Sequence, residues 1–319
     1  MKFAAATLTL TAVSGLAFLG VLEARQSASP QTPAAAQEPA PIRAEVTRVN
    51  MLFTVTDRRG RFITDLGRND FQVFENKKPQ EILEFTAETD LPLRLAILID
   101  TSNSIRERFH FQQEAATNFI NSVMRTQDKA IVVSFDTSAE LAADITNNTN
   151  TLENAIRDLR PGGGTALYDA IFYACKDKLM LDQPMYKFRR AMVILSDGED
   201  NDSRYSREQA LEMAQRADTV IYTISTNISH VETDGDKLLR YLAEQTGGAA
   251  FFPFEAKDLN QSFENVANEL RHQYNLFYRP QPLHNDGKFH AVAIKVKGRK
   301  ELQVRARKGY YARRESASS

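Results

Sequence analysis

The sequence predicts a doubly wound α/β domain, with a mostly parallel sheet, inserted into a small β-sandwich formed by the N- and C-terminal segments of the chain. Three observations lead there. The middle of the chain alternates short, nearly continuous apolar runs with helix-length stretches, the pattern of a parallel sheet buried on both faces. The segments on either side of it carry period-two alternation. Neither flank is large enough to build a good core alone, since isolated hairpins are marginal, so the two are expected to pair.

Lys2 is followed by an uncharged, mostly apolar run from Phe3 to Leu22, then Glu23, Ala24 and Arg25. A positive start and an apolar stretch mark a secretory signal. Ala24 is a fitting last residue, but Leu22 is not the small residue expected two positions earlier. The run is long enough to cross a bilayer, so residues 1–24 read as a signal peptide or as an uncleaved N-terminal anchor. On either reading the rest of the chain is exported: periplasmic, in the cell envelope or secreted, with membrane contact only through that segment. Residues 25–44 are rich in Ala, Pro, Gln and Ser and are expected to be a disordered linker.

Residues 45–90 form the first part of the sandwich. Val49, Met51, Phe53 and Val55 alternate with their neighbours, Phe71 and Val73 make a second strand, Glu75 to Pro79 reads as a turn, and Ile82 and Phe85 lie in a third strand. The expectation is a set of hairpins. Residues 91–272 form the α/β domain, with apolar strands at Leu93–Ile99, Ala130–Phe135, Ala191–Leu195, Thr219–Ser225 and Ala249–Phe252. Helices are expected near 107–125, 151–159, 167–180, 206–217, 236–245 and 258–272. Residues 273–313 complete the sandwich with Tyr274–Tyr278, the alternating Val292, Ile294 and Val296, a turn at Gly298 to Lys300, and Leu302, Val304 and Ala306. Residues 314–319 are expected to be a disordered tail.

Composition narrows the function. The chain has 319 residues, 42% hydrophobic and 25% charged, with a formal net charge of -1, so nothing in it calls for nucleic acid, which needs a basic face. The single cysteine, Cys175, excludes an intrachain disulfide and reads as an inert core thiol.

Open α/β sheets bind ligands at the carboxyl ends of their strands. The first buried strand ends in Asp100-Thr101-Ser102-Asn103-Ser104, and a later one in Ser196-Asp197-Gly198. Between them lies the loop Pro161-Gly162-Gly163-Gly164-Thr165. Asp100 or Ser102 alone would read as a helix cap. The joint pattern of strand then Asp-x-Ser-x-Ser, glycine loop then Thr, and strand then Asp has no such reading. It resembles the metal-ion-dependent adhesion site of von Willebrand factor type A domains, whose fold is Rossmann-like, over roughly residues 91–272.

The resemblance implies that Ser102 and Ser104 ligate a metal directly, that Thr165 does so directly or through water, and that Asp100 and Asp197 act mostly through water. It also implies that the first and fourth strands lie side by side. Oxygen ligands and retained waters suit Mg²⁺, or Mn²⁺. Neutral hydroxyls leave most of the ion's charge unneutralised, which favours a carboxylate from an Asp or Glu of a partner protein. Gly164, Glu199 and Asp200 are candidates for the rim that such a partner would touch. Asp136, just past a strand end, reads as a supporting group or a turn residue.

Other chemistries lack their residues. The glycine run follows no buried strand and lacks the dinucleotide and P-loop spacings. His110, His230, His272, His284 and His290 show no zinc-ligand spacing. Ser102 stands two residues after Asp100, where phosphoryl transfer of the haloacid-dehalogenase type needs a carboxylate. The chain is therefore expected to be a protein-binding module and not an enzyme. An envelope scaffold with a structural metal is the alternative, ahead of a metal-dependent hydrolase. The flanks, VTDRRGRFITDLGRNDFQVFENKKPQEILEF at 55–85 and GYYA at 309–312, are similar to a group of exported bacterial proteins related to von Willebrand factor A domains.

Overall fold

The computed structural model describes residues 48–87, 91–227, 229, 231–253 and 255–314. The leader, the linker and residues 315–319 of the tail lie outside them. Arg314, expected in the tail, forms an isolated β-bridge with Asp286. Among the described residues no helix is long and apolar enough to cross a membrane.

The first flank supplies β1 (Val49–Thr56), β2 (Phe71–Glu75), β3 (Lys78–Gln80) and β4 (Ile82–Thr86). The middle runs β5 (Leu93–Asp100), α1 (Phe109–Val123), β6 (Lys129–Phe135), β7 (Ala139–Thr146), α2 (Thr149–Asp158) and α3 (Leu167–Tyr173). It continues through β8 (Arg189–Ser196), α4 (Arg207–Arg216), β9 (Thr219–Ser225), α5 (Asp234–Thr246), β10 (Ala250–Phe251) and α6 (Ala256–Arg271). The last flank gives β11 (Tyr274–Tyr278), β12 (Phe289–Val296), β13 (Gln303–Ala306) and β14 (Gly309–Tyr311).

The central sheet has six strands in the order β10-β9-β8-β5-β6-β7, all parallel except the β6–β7 pair. Every residue of β5 and of β8 is buried, as the continuous apolar runs predict. Alternate side chains serve two cores. Leu93, Leu95, Ile97 and Ile99 pack with α1, α2 and α6, whereas Ala96 and Leu98 pack with α3, α4 and α5. The strand order reverses direction between β5 and β8, so the crevice at the switch point opens between their carboxyl ends.

β7 is absent from the strands expected from the sequence. It is an antiparallel edge strand whose Glu140, Asp144 and Ile145 are exposed, so no continuous apolar run marks it. The helix expected over 167–180 is α3 followed by a π-helical turn at Ala174–Leu179.

The flanks form two four-stranded sheets, β13-β1-β11-β4 and β14-β12-β2-β3, which share one core. Each sheet draws strands from both flanks, so neither closes without the other. Phe53, Phe71 and Tyr274 meet at its centre with ring centroids 5.1 to 5.4 Å apart. The buried Tyr274 hydroxyl donates to the Ile63 carbonyl at 2.7 Å.

The expected set of hairpins is corrected. β2 and β3 form a hairpin, whereas β1 pairs with β11 and β13, and β4 pairs with β11. The turn expected over Glu75–Pro79 narrows to Asn76 and Lys77, both at positive φ, and Lys78 and Pro79 already belong to β3. At Gly298–Lys300 the chain does not fold β13 back onto β12. It crosses to the other sheet, where β13 joins β1.

Candidate functional site

The switch-point crevice is built from three loops and the ends of two strands. Asp100 closes β5 and is fully buried. Its Oδ1 accepts the Ser102 backbone N–H at 2.8 Å, and its Oδ2 accepts the Ser196 hydroxyl at 2.6 Å. The Ser196 hydroxyl oxygen in turn accepts the Gly198 N–H at 3.0 Å. A serine between the two strand ends thus joins them. Burial pushes the Asp100 carboxyl up to about 6; the Ser102 and Ser196 hydrogen bonds pull it down, and the charge of Asp197 adds to the rise.

From Ser102 the chain of contacts continues outward. The Ser102 and Ser104 hydroxyls lie 2.9 Å apart, and the Ser104 hydroxyl donates to Asp197 Oδ2 at 2.7 Å. The inner serine is buried and the outer one exposed. Asp100, Ser102, Ser104 and Asp197 therefore form one connected polar cluster running from the sheet to the surface. The other Asp197 oxygen accepts the Glu199 N–H at 3.1 Å.

Thr165 arrives from the glycine loop and is held by its backbone. Its N–H donates to Asn201 Oδ1 at 2.8 Å, and its carbonyl accepts the N–H groups of Asn201 and Asp202 at 3.0 and 3.1 Å. Its hydroxyl bonds none of the other four side chains. The loop before it is clamped on both sides: Gly162 N–H donates to Thr101 O at 2.6 Å, and Gly164 N–H to the Thr137 hydroxyl at 3.2 Å. A Cβ on Gly164 would meet the Asp202 carboxylate, so the glycine lets that side chain lie against the loop.

The Asp197 loop has its own support. A side chain on Gly198 would run into the Gly235 backbone, and one on Gly235 into the Asp197 carbonyl. The first turn of α5 therefore sits directly beneath the loop that carries Asp197. Sequence reasoning missed Ser196, Asn201 and Gly235. Ser196 was legible as the residue directly before a strand-end Asp, and its hydroxyl meets the site, but Gly235 is a neighbour only in the folded chain.

The expected rim residues differ in kind. Glu199 is exposed, whereas Gly164 and Asp200 are half-buried. Asp200 Oδ2 accepts the Tyr168 N–H at 3.1 Å and the Ser203 hydroxyl at 2.6 Å, so it caps the start of α3. Asp136 is a turn residue, its Oδ1 accepting the Ser138 N–H at 3.2 Å. Cys175 is buried, and burial pushes its thiol up to about 12. The reading of the histidines needs correction. Glu75, His284 and His290, from opposite ends of the chain, bring ligand atoms within 4.8 Å of one another inside the sandwich.

Fold and crevice define the class: an open α/β domain with hydroxyls and carboxylates gathered at its switch point. Residues 95–199 match the family model of the von Willebrand factor type A domain. The matched segment runs from β5 to just past β8 and includes Asp100, Ser102, Ser104, Thr165 and Asp197. Domains of this family are in general protein-interaction modules, often with a divalent metal at this position.

The human von Willebrand factor A domain-containing protein 3B is 28% identical over 180 residues, covering 54% of this chain and 13% of that protein. Among solved structures, a von Willebrand factor type A protein from Catenulispora acidiphila gives a TM-score of 0.49 at 15% identity, covering 70% of this chain and 67% of that one. Proximal thread matrix protein 1 from the mussel byssus, with a zinc-occupied MIDAS motif, gives 0.47 at 18% identity, covering 58% and 46%.

Proposed function

We propose that this protein is an exported, metal-dependent protein-binding module that engages an Asp or Glu of a partner through a Mg²⁺ or Mn²⁺ ion at the switch point. The observation that carries the reading is the connected cluster of Asp100, Ser102, Ser104 and Asp197, in which two hydroxyls separate two carboxylates at the mouth of the crevice.

The donor set fits a hard cation. All its ligand atoms are oxygens, and the buried Asp100 carboxylate is opposed by no cationic side chain in its own hydrogen bonds. Ser102 and Ser104 would hold the ion directly, Thr165 would complete the set from the glycine loop, and Asp100 and Asp197 would hold its waters. The bound ion would supply a positive charge for a partner's carboxylate. Ser196 and the Gly198–Gly235 contact keep the two carboxylates in place, and exposed Glu199 stands on the rim. Export rests on the Lys2–Leu22 leader. Hydrolysis would need in addition a general base aimed at bound water.

Calorimetric titration of Mg²⁺ and Mn²⁺ into metal-free protein, with Ser102→Ala as control, tests the reading. One site in the wild type, lost in the folded variant, is the expected result. No binding to folded wild type would sink it.

A further inference from the structure

We propose that the β-sandwich carries a separate transition-metal site, of the kind that takes Zn²⁺, formed by Glu75, His284 and His290 with Asp286 orienting His290. It does not rest on the reading of the switch-point crevice.

Glu75 ends β2 and is 2% exposed. One of its oxygens lies 3.1 Å from His284 Nε2, and the other accepts the hydroxyls of Tyr278 and Tyr310 at 2.5 and 3.3 Å. Among the described residues, His284 is the ion-pair partner of this carboxylate, and no lysine or arginine reaches it. A buried carboxylate supported by hydroxyls alone is costly, so a cation belongs here. Both tyrosine hydroxyls act as donors to it.

A lone imidazolium at His284 would satisfy that charge. It leaves the stacking of His290 on that ring unexplained. The two rings stack with centroids 3.8 Å apart and planes 21° apart, an arrangement in which two protonated rings would repel. A shared metal ion accounts for both. It needs two neutral imidazoles and takes one nitrogen from each.

His290 is already prepared in that form. The Asn76 Oδ1 accepts the Ala291 N–H at 3.1 Å, which fixes the orientation of the amide, so its Nδ2 donates to His290 Nδ1 at 3.1 Å. His290 Nε2 then carries the proton and donates to Asp286 Oδ1 at 3.1 Å. A carboxylate bonded to a histidine in this way is a common support of metal-ligating rings.

His284 and Asp286 lie on the loop that leaves β11 in one sheet and enters β12 in the other, while Glu75 of β2 pairs with Val292 of β12, two residues from His290 and on the same face. An ion held there would staple the crossing loop to the second sheet. It would replace the direct His284–Glu75 bond, with the His284 ring proton moving to the nitrogen left free, and it would take the His290 Nδ1 lone pair in place of the Asn76 amide. The nitrogen-rich set selects a borderline metal over Mg²⁺, which separates this site chemically from an all-oxygen one.

The test is titration of metal-stripped full-length protein with Zn²⁺, and with Co²⁺ read by its visible d–d bands, in wild type, Ser102→Ala, His284→Ala, His290→Ala and Asp286→Asn. One equivalent that survives in Ser102→Ala, with tetrahedral Co²⁺ bands, is expected. It should be lost in both histidine variants and weakened roughly 10- to 100-fold in Asp286→Asn. Wild type that binds neither ion, or folded His284→Ala that binds as tightly as wild type, would overturn the proposal. So would zinc binding abolished by Ser102→Ala alone. His284 is on a loop and partly exposed, so His284→Ala decides the matter if His290→Ala does not fold.

Discussion

Cys175 illustrates how environment overrides residue type. It is packed among Ala174, Leu179 and the face of the central sheet, and burial holds its thiol far above the range in which thiolate forms. Native protein at pH 8 is expected to resist alkylation by iodoacetamide, with reaction appearing only on unfolding. Rapid labelling of folded protein would contradict this. Ser196 carries more of the site than its small side chain suggests, because its hydroxyl satisfies both Asp100 and the Gly198 N–H. Ser196→Ala removes the partner of Asp100 Oδ2 and of the Gly198 N–H and is expected to cost about 1–3 kcal/mol in denaturant unfolding. Gly235→Ala reaches the same site from below, since a methyl there meets the Asp197 carbonyl. If the proposed Mg²⁺ site is right, calorimetry should show weaker binding in this variant although Gly235 offers no ligand atom.

At the scale of an element, α5 is the clearest case. Thr233 and Asp236 form a capping box at its start, Asp236 N–H donating to Thr233 Oγ1 at 3.1 Å and Thr233 N–H to Asp236 Oδ2 at 3.0 Å. Asp236 also accepts the Ser225 hydroxyl at 2.6 Å and the Asn227 amide at 2.8 Å, so it ties the helix to the end of β9. Burial alone would raise this carboxyl, but those hydrogen bonds outweigh it and hold it below its ordinary value. A carboxylate lowered in the folded state stabilises the protein above its unfolded pKa of about 4, and that contribution fades as pH falls through the folded value. Asp236→Asn should therefore be less stable than wild type at pH 7, by about 1–3 kcal/mol, and the gap should close below pH of about 4. A gap that is constant with pH would show that the charge is not what matters.

Across the whole molecule, the sandwich and the α/β domain are joined by charged contacts as well as by chain. Arg305 of β13 pairs with Glu269 of α6, and Arg307 pairs with Asp218 and donates to Asn50 O at 2.6 Å. Arg189 of β8 donates to the Leu91 carbonyl at 2.8 Å and to that of Leu270. Glu269 is buried, and its desolvation raises its carboxyl despite Arg305. Removing Arg305 strands that carboxylate; because Arg305 is partly exposed, Arg305→Ala should cost about 2 kcal/mol. The double variant Arg305→Ala, Arg307→Ala is expected to split one calorimetric melting transition into two. A single sharp transition in it would mean that apolar packing, not these pairs, couples the parts.

Much of this was written in the chain itself. The buried runs of β5 and β8 announce a parallel sheet because a strand covered on both faces has no use for polar side chains. The Asp-x-Ser-x-Ser and Ser-Asp-Gly strand ends announce a site because ligands meet such sheets at their carboxyl ends. What distance along the chain hides, the fold decided. β7 escapes a reading by apolar runs because an edge strand answers to one neighbour and to water. The flanking strands pair across the chain, β1 with β11 and β13, because each sheet needs partners from both ends to cover one core. Gly235 under Asp197, and Glu75 beside His284 and His290, are neighbours only after that pairing. Local pattern reports which face of an element is buried; which residues meet across a core is set by the packing that brings distant segments together.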